Sequence, residues 1–350
     1  MDQAKLHQVV GKALGDLGGA FSVPLVRIGD RLGLYKALQA HGPMTPGELA
    51  EKTGIATRYA REWLSHQAAS GYLAYEPATG RFELPPEQAM VFADADSPVN
   101  LQGAFDLATV MIENQPLVEP AFRTGKGVGW GAQSQCLFCT VGRFFRPSYH
   151  NALVQSWLPA LDGVVTRLER GASVADVGCG HGFSTVIMAK AFPRSSFVGY
   201  DFHPESVAQA RRHAEQHGVT ANTRFEVALA GEFPGEKLDL VTFFDCLHDM
   251  GDPLGAARHV RRALKPNGSW MIVEPAAGDR LEDNLNPVSR LYYAASTMIC
   301  VPTSLDQPVG TALGAQAGLA RLSSTIREAG FGQVRKAAET PFNMVLEARP

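Results

Sequence analysis

Hydrophobic and polar positions repeat in two different ways along this chain, and the change occurs near residue 173. Beyond that point short apolar runs alternate with amphipathic helical patterns; the runs lie in SVADVG, FVGYD, TRFEVAL, LDLVTFFD, SWMIVEP, GQVRKAAE and FNMVLEAR. Apolar runs of this length, separated by helices, are typical of a parallel sheet covered by helices on both faces. The second half of the chain is therefore predicted to be an α/β domain.

Residues 45 to 90 predict a small helical domain with a hairpin. Thr45 followed by Pro46 favours a helix start, and Gly54 favours its end. A second helix is predicted over TRYAREWLSHQAAS, and YLAYE and RFELP then alternate apolar and polar residues around the turn PATG. Together these elements describe a winged helix. Upstream, FSVPLVRIGDRLGLYKALQAHG is predicted to form one long apolar helix, which suggests a homodimer contact.

These patterns divide the 350 residues into regions, as expected for a chain longer than one core usually organises. Residues 1–95 are predicted to be a winged-helix domain for dimerisation and for covering substrate, and residues 96–165 a helical connector. Residues 166–350 are predicted to form the α/β domain. Inside it, the segment at about 276–315 is longer than an ordinary loop, which predicts a lid or an acceptor pocket.

The charge of the chain argues against nucleic acid and membranes as partners. Basic side chains number 32 and acidic ones 35, for a net charge of -3, and within residues 1–90 nine basic residues face nine acidic ones. A winged helix that reads DNA needs a basic surface. No apolar run approaches the roughly 18 residues that span a bilayer, and the N-terminus lacks a signal-peptide core. A cytoplasmic protein is expected.

The cysteines give no sign of a disulfide framework or of a metal site. There are five, an odd number in a long chain. Cys136 and Cys139 form a lone CxxC with no second pair and no HxxxH nearby. We therefore expect free thiols and no metal ligands.

The candidate site begins in the run VADVGCGHG. Gly178, Gly180 and Gly182 follow an apolar strand, and the helix FSTVIMAKAF starts directly afterwards. Glycine lets the backbone approach a ligand and adopt positive φ, and the helix N-terminus lies beside the turn. The GxGxG spacing differs from the dinucleotide fingerprint, which requires glycine where Phe183 stands.

Two carboxylates refine this prediction. Asp176, two residues before Gly178, suits an ammonium group, held directly or through water, and would repel a pyrophosphate. Asp201 ends the next strand and suits the two hydroxyls of a ribose. The expected ligand is a nucleoside that carries an amino acid.

The motifs DVGCGHG, VGYD, DLVTFFDCLHDM and LKPNGSWMIVEP resemble the class I S-adenosylmethionine (SAM)-dependent methyltransferases. With its winged helix, the whole chain is similar to small-molecule O-methyltransferases and to a group of predicted bacterial methyltransferases. The motifs extend over residues 174–275 and the winged-helix match over 20–90. The resemblance implies a Rossmann-like, doubly wound sheet of seven strands with an antiparallel last strand, behind a mostly α winged-helix domain. It also implies SAM as cofactor.

The resemblance assigns roles within the SAM site. Asp176 and the Gly178–Gly182 loop would bind the methionine part of SAM, Asp201 the ribose, and Phe202 would lie against adenine. Family members often carry an aspartate for the adenine amino group where this chain has Leu229. Backbone groups near Leu229 and Ala230, or the side chain of Glu232, are the alternatives. The remaining predicted cofactor residues are Asp245, Cys246, Arg146 and Tyr149, the last two as part of a cap in FFRPSYH.

His248 and Asp249 are the predicted catalytic pair. They match a His-Asp pair whose histidine deprotonates the acceptor hydroxyl in plant-type O-methyltransferases. An imidazole titrates near neutrality and suits that task. The alternative is that His248 only shapes the pocket.

The acceptor is predicted to be a small molecule, contacted by Tyr292, Tyr293 and Phe145, although the two tyrosines also fit a core stripe. Oxygen is the favoured acceptor atom, with nitrogen and sulfur open. Two other functions remain as alternatives: a SAM-responsive winged-helix transcriptional regulator and a nicotinamide-dependent oxidoreductase.

Overall fold

A computed structural model describes residues 1–134 and 137–350 of the chain. The described residues fall into two compact units, Met1–Val110 with Arg143–Pro147 and Met111–Gly142 with Ser148–Pro350. Cys136 of the CxxC lies outside the described residues. The other cysteines, Cys139, Cys179, Cys246 and Cys300, are free thiols.

The first unit is helical, with one small hairpin. Its elements are α1 (Gln3–Arg31), α2 (Leu34–His41), α3 (Pro46–Thr53), α4 (Thr57–Ala69), β1 (Ala74–Glu76), β2 (Arg81–Glu83), α5 (Pro86–Phe92) and the first turns of α6 (Gln102–Val118). A capping box joins Thr45 and Glu48 at the start of α3, and Gly54 ends it in the left-handed region. The predicted helix, turn, helix and hairpin are confirmed. Their shared core contains Leu38, Leu49, Leu64 and Phe82.

The predicted single helix over FSVPLVRIGDRLGLYKALQAHG is wrong. The helix α1 begins far earlier, at Gln3, and ends at Arg31. Gly33 then takes a φ of 69°, a left-handed conformation that costs glycine little, and α2 starts directly after it. The apolar pattern continues across the break because both helices pack into the same core, so the pattern alone did not reveal the turn.

Most of α1 is exposed. Leu6, Val10, Leu14, Leu17 and Phe21 recur at helical spacing and keep between 39% and 70% of their surface exposed. By length and composition α1 also passes a test for a membrane-spanning helix, with 17% of its most apolar window buried. Valines, leucines and alanines raise the mean hydropathy of this window, but Lys12, Asp16 and several glycines interrupt the apolar run, which is why the sequence expectation differed. A single helix of this kind is weak evidence for a span.

The second unit contains the sheet and its helices. Helical elements before the sheet are the end of α6, α7 (Ala121–Thr124), α8 (Leu137–Ala152) and α9 (Val164–Arg170). The strands are β3 (Ser173–Val177), β4 (Ser196–Asp201), β5 (Thr223–Val227), β6 (Leu238–Phe244), β7 (Leu264–Pro275), β8 (Gln333–Glu339) and β9 (Asn343–Arg349). The helices between them are α10 (Phe183–Ala191), α11 (Pro204–Gln216), α12 (Pro253–Ala263), α13 (Pro287–Ala295), α14 (Val301–Asp306) and α15 (Gly318–Glu328).

The seven strands lie in the order β5-β4-β3-β6-β7-β9-β8. The five from β5 to β7 are parallel, and β9 runs antiparallel to both of its neighbours. This confirms the predicted doubly wound sheet with an antiparallel last strand. Residues of the central strands are almost fully buried, among them Val177, Val241 and Ile272, because helices cover both faces.

The order of the strands reverses between β3 and β6. From β3 the chain builds outward to β4 and β5, and it then returns to place β6 on the other side of β3. A crevice opens at such a switch point, outside the carboxyl ends of the strands, and ligands of open α/β sheets bind there. Four acidic side chains lie at or within one residue of the strand ends at this edge: Asp176, Asp201, Asp245 and Glu274.

The segment predicted as a lid is mostly helical. It contains α13, a π-helical turn over Ser296–Cys300, and α14. Side chains on and after α14 are bonded to the loop that follows β6. The Ser304 hydroxyl donates to the Met250 carbonyl at 2.7 Å, and the Gln307 amide donates to the Asp249 carbonyl at 2.9 Å. These bonds hold the segment beside the end of β6.

Candidate active site

The glycine loop between β3 and α10 depends on its glycines for different reasons. Gly178, Gly180 and Gly182 have φ of 71°, 51° and 74°, where a Cβ is strained. A Cβ on Gly178 would lie 2.7 Å from Cys246 Sγ, and one on Gly182 would lie 2.8 Å from the Phe225 ring. A Cβ on Gly180 would meet nothing within 4 Å. Two of the glycines are therefore required for packing, and Gly180 faces open space.

Asp176 lies beneath this loop with none of its surface exposed. Its carboxylate accepts hydrogen bonds from the hydroxyls of Ser184 at 2.7 Å, Thr185 at 2.5 Å and Thr242 at 3.0 Å. Burial raises the pKa of Asp176 to about 6, although the three hydroxyls oppose that shift. The carboxylate thus ties the start of α10 to β3 and β6. Of the predicted modes of contact with an ammonium group, the indirect one fits this burial.

Asp201 stands at the end of β4 with 8% of its surface exposed. Its two oxygens accept the backbone N–H groups of Gly180 and His203, each at 2.9 Å. Burial raises the pKa of Asp201, while these two backbone bonds lower it. Each carboxylate oxygen retains a second lone pair for a ligand hydroxyl.

Apolar side chains stand beside Asp201 in the open. Phe202 is 47% exposed and Leu229, after the neighbouring end of β5, is 56% exposed. The Ala228 N–H donates to the Asp201 carbonyl at 3.0 Å, which holds the two strand ends together. Ala230 is partly buried against the core. A buried carboxylate flanked by exposed apolar groups fits a nucleoside, whose sugar is polar and whose base is flat and apolar on its faces.

Asp245 follows β6 in the left-handed region, at a φ of 50°, an uncommon conformation that is found more often at functional sites. Its carboxylate accepts a hydrogen bond from the Tyr149 hydroxyl at 2.9 Å and one from the Asn343 amide at 2.8 Å. Burial, and then the charge of Glu274, raise the pKa of Asp245 well above its ordinary value. Cys246 comes next and packs against Gly178. Tyr149 therefore lies within the second unit, bonded at the switch point.

His248 occupies a short helical turn after β6 and is almost fully buried. Its Nδ1 lies 2.5 Å from Glu274 Oε2, and the Leu247 N–H donates to Glu274 Oε1 at 3.0 Å. Its Nε2 lies 3.2 Å from Asp249 Oδ1. Glu274 thus fixes the ring through Nδ1–H and leaves Nε2 to exchange a proton.

The carboxylates around His248 determine its protonation. Burial alone would lower the pKa of this histidine, but the charges of Glu274 and Asp249 together raise it well above the ordinary value. Burial likewise raises the pKa of Asp249, and the neighbouring imidazole opposes that shift. An imidazolium at this position is consequently stabilised on both sides.

Comparison with known proteins bears on the two parts of the chain separately. Residues 168–326 match the family described as "Methyltransferase domain", and residues 20–93 match the "Rv2258c-like winged HTH domain". The chain carries a methyltransferase domain behind a winged helix. The resemblance predicted from the motifs is confirmed.

Relatives of the methyltransferase domain include ubiquinone biosynthesis O-methyltransferases. That of Xanthomonas euvesicatoria pv. vesicatoria is 39% identical over 115 residues, 32% of this chain and 47% of the relative. That of Cereibacter sphaeroides (strain ATCC 17029 / ATH 2.4.9) is 34% identical over 98 residues, 28% of this chain and 39% of the relative. The match therefore spans less than half the length of either relative.

Solved structures match the fold over nearly the whole chain. The mitomycin 7-O-methyltransferase MmcR is 20% identical, with a TM-score of 0.69 and 100% of both chains covered. PigF with SAH is 17% identical, with a TM-score of 0.72 and 97% and 98% of this chain and that chain covered. Human N-acetylserotonin methyltransferase in complex with SAM is 17% identical, with a TM-score of 0.70 and 100% and 98% covered. At these identities the likeness concerns the fold.

The predicted acceptor and cap residues lie in different places. Tyr292 is buried in the methyltransferase domain and donates to the Phe342 carbonyl at 2.8 Å, whereas Tyr293 is 36% exposed. Phe145 and Arg146 belong to the first unit. There the Arg146 guanidinium pairs with Asp96 at 2.9 Å and donates to the Ala95 carbonyl at 3.2 Å. Contact of Phe145, Arg146 and the two tyrosines with SAM or acceptor stays a prediction.

Sequence reasoning missed Glu274 and Cys300. Glu274 ends the apolar run SWMIVEP, and a charged residue at the end of a buried strand was the same signal that singled out Asp201. Cys300 joins the site only because the turn between α13 and α14 brings it to His248 and Asp249. No residue spacing in the sequence predicts this contact of Cys300 with His248 and Asp249.

Proposed function

We propose that this protein transfers a methyl group from SAM to a hydroxyl of a small-molecule acceptor. The observation that carries the proposal is the meeting of the glycine loop, Asp201 and the His248–Glu274 pair at the switch point of a methyltransferase sheet. The names of the matched relatives, which are O-methyltransferases, support the same acceptor atom.

The residues at the switch point fit SAM. Asp201 offers lone pairs to the ribose hydroxyls, and the exposed faces of Phe202 and Leu229 offer contact to adenine. The open side of Gly180 leaves room for the methionine part, beside the N-terminus of α10. Asp176 acts from below, by holding the loop that would carry the amino-acid end. When bound, SAM supplies an electrophilic methyl group on its sulfonium.

His248 is the proposed proton acceptor. A neutral hydroxyl is a weak nucleophile, so a base that removes its proton accelerates its attack on the methyl group. The methyl transfer itself depends mainly on the proximity and alignment of the two reactants. Nδ1–H is engaged by Glu274, so the acceptor's proton goes to Nε2. Glu274 and Asp249 then stabilise the imidazolium that forms. This need for a base favours oxygen over nitrogen or sulfur acceptors.

The first unit is proposed to form a homodimer and to cover substrate in a cytoplasmic enzyme. The exposed apolar stripe of α1 runs toward a groove of about 460 Å³ between α1 and α4, lined by residues that include Leu25, Ile28, Leu32 and Tyr59. A second copy of this chain is the occupant that an apolar helix face and an apolar groove on one surface suit. The balanced charge of residues 1–90 favours this role over DNA binding.

The experiment is titration calorimetry with SAM, S-adenosylhomocysteine and NAD, followed by turnover on a panel of phenols and other alcohols. We expect binding of the first two ligands and none of NAD. The His248→Ala variant should bind SAM like the wild type and lose about 10²–10⁴-fold in kcat. Absence of SAM binding would refute the proposal, and unchanged turnover in the variant would remove His248 as base.

A further inference from the structure

His248, Asp249 and Cys300 place three different ligand types around one point. His248 Nε2, a carboxylate oxygen of Asp249 and Cys300 Sγ all lie within 4.8 Å of one another. Nε2 and Oδ1 of Asp249 are 3.2 Å apart. Tetrahedral zinc, with bonds of about 2.0 Å to nitrogen and oxygen and about 2.3 Å to sulfur, separates one nitrogen, one oxygen and one sulfur ligand by about 3.3–3.5 Å. We infer that these residues form a site for one transition-metal ion of the zinc class.

The set of ligands determines the class of metal. One imidazole, one carboxylate and one thiolate suit zinc and its neighbours among the divalent transition metals, whereas magnesium and calcium prefer oxygen alone. Three protein ligands leave a fourth position for water or another small ligand, which is the pattern of an open zinc site. Binding of the metal releases the proton of the Cys300 thiol to solvent, and His248 binds the metal through an unprotonated Nε2.

Asp249 already interacts with the other two residues of the cluster. Its Oδ1 is buried and lies 3.2 Å from Nε2 of His248, and the Cys300 thiol is hydrogen-bonded to both His248 and Asp249. Protons shared among these three groups occupy the place that a metal ion would take. The oxygen points at the same place as Nε2 and Sγ. A metal ion at that point would replace these protons and compensate the charge of the carboxylate.

The surroundings hold the three ligands in position. Glu274 binds Nδ1 of His248, an arrangement that orients a histidine toward a metal bound at its other nitrogen. Cys300 ends a π-helical turn, a deviation that is frequent at functional sites. Ser304 and Gln307, which follow Cys300, are bonded to the carbonyls of Met250 and Asp249. These hydrogen bonds join the segment that contains Cys300 to the turn that contains His248, and so they hold the thiol near the imidazole.

The sequence predicted no metal here, because the only suggestive spacing was the CxxC of Cys136 and Cys139. The ligands of the proposed site come from positions 248, 249 and 300. The site goes beyond the proposed function. A metal ion and the acceptor's proton would compete for Nε2 of His248, so a bound metal would prevent His248 from acting as the base. Metal binding is nevertheless measurable without any methyl transfer, so failure of the two proposals can be told apart.

The test is titration of chelator-treated, full-length protein with Co²⁺, followed by absorption spectroscopy. We expect one ion per chain, with tetrahedral visible bands and a thiolate-to-cobalt charge-transfer band, both abolished by Zn²⁺. Cys300→Ser should lose the charge-transfer band. Cys139→Ser, which changes an exposed thiol of the CxxC, should keep it.

Two further variants keep the inference testable if Cys300→Ser does not fold. Asp249→Asn should retain the charge-transfer band and bind Co²⁺ more weakly. Glu274→Gln should weaken affinity about 10–100-fold, as expected for a residue that orients a ligand. Absence of the band in the wild type, its persistence in Cys300→Ser, or its loss in Cys139→Ser would each overturn the inference.

Discussion

A buried carboxylate surrounded by hydroxyls leads to a prediction about pH. The pKa of Asp176 rises from 3.8 to about 6 on folding, chiefly through burial. Because the unfolded chain releases this proton at lower pH, the carboxyl makes the folded state less stable as pH rises from about 4 to about 6. An asparagine of the same shape has no proton to lose.

We therefore expect Asp176→Asn to change the pH dependence of stability. Relative to the variant, the wild type should lose about 3 kcal/mol of unfolding free energy between about pH 4 and about pH 7, the equivalent of the shift in pKa. Urea denaturation of both proteins across this range measures the difference. Parallel pH profiles would show that burial does not perturb this carboxyl.

Glu274 determines the pH range in which His248 acts as a base. Its charge contributes to the raised pKa of His248, and Nε2 accepts a proton only above that pKa. Activity should therefore rise with pH through the pKa. Glu274→Gln removes the charge, so the acidic limb of the kcat/KM profile should move to lower pH. Glu215→Gln, which alters an exposed carboxylate on α11, should leave the limb in place.

An unmoved limb in Glu274→Gln, with SAM binding intact, would assign that limb to another group and leave His248 the role of shaping the pocket. This outcome is the second of the two readings that the sequence allowed for His248. The pH profile distinguishes them because a residue that only shapes the pocket does not set the limb.

Single residues of the site were predictable where the chemistry follows a local pattern. Asp176, Asp201 and the loop glycines stand next to strand ends that hydrophobic runs already mark. The partners of those residues were not predictable in the same way. Thr242 reaches Asp176 across 66 positions of the chain, and Asn343 reaches Asp245 across 98. Hydrogen bonds of this kind depend on which strands become neighbours, and spacing does not encode that.

At the scale of elements, the loop between β3 and α10 contains glycines required for two different reasons. Gly182 precedes α10 at a φ of 74°, where a Cβ would meet Phe225 at 2.8 Å and Ala210 at 3.0 Å. Gly180 is also left-handed, but a Cβ there would meet nothing within 4 Å. Both substitutions carry backbone strain of about 1–2 kcal/mol. Only the first adds an overpacking cost of about 1–3 kcal/mol.

Gly182→Ala should therefore lose about 2–5 kcal/mol of unfolding free energy, and Gly180→Ala about 1–2 kcal/mol. The larger loss of affinity for SAM should instead occur in Gly180→Ala, since the Cβ at position 180 would occupy space that the proposed ligand needs. Urea denaturation and titration calorimetry on both variants provide the two measurements. Equal losses of stability would contradict the packing argument, and unchanged affinity in Gly180→Ala would place the ligand elsewhere.

Elements were predicted well where one pattern dominates and poorly where two effects compete. The strands of the sheet appear as uninterrupted apolar runs because both of their faces are buried. The break between α1 and α2 was missed, since one apolar stripe crosses it and only Gly33 marks the turn. The π-helical turn at Ser296–Cys300 has no sequence signal that hydrophobic periodicity detects.

At the scale of the whole molecule, the apolar stripe of α1 is an extended exposed surface in the described part of the chain. Leu14 and Leu17 keep 64% and 52% of their surface exposed, and Phe21 keeps 70%. Contiguous apolar surface of this kind marks a contact site. In the proposed homodimer it is buried against a second copy, and a charge placed in the stripe would then lose its hydration.

We expect Leu17→Glu to shift the protein from dimer to monomer, and the matched change Gln8→Glu to leave it dimeric. Both substitutions add one negative charge to α1, but Gln8 lies on the opposite side of the helix from the stripe, at about 100° per residue. Sedimentation velocity over a range of protein concentrations measures the association directly. If both variants dimerised like the wild type, the stripe would be excluded as the dimer contact. A wild type that is monomeric and binds lipid vesicles would instead favour a membrane contact for the stripe.

The monomeric variant should still bind SAM, because the methyltransferase domain has its own core. SAM binding therefore separates loss of the dimer from loss of the fold.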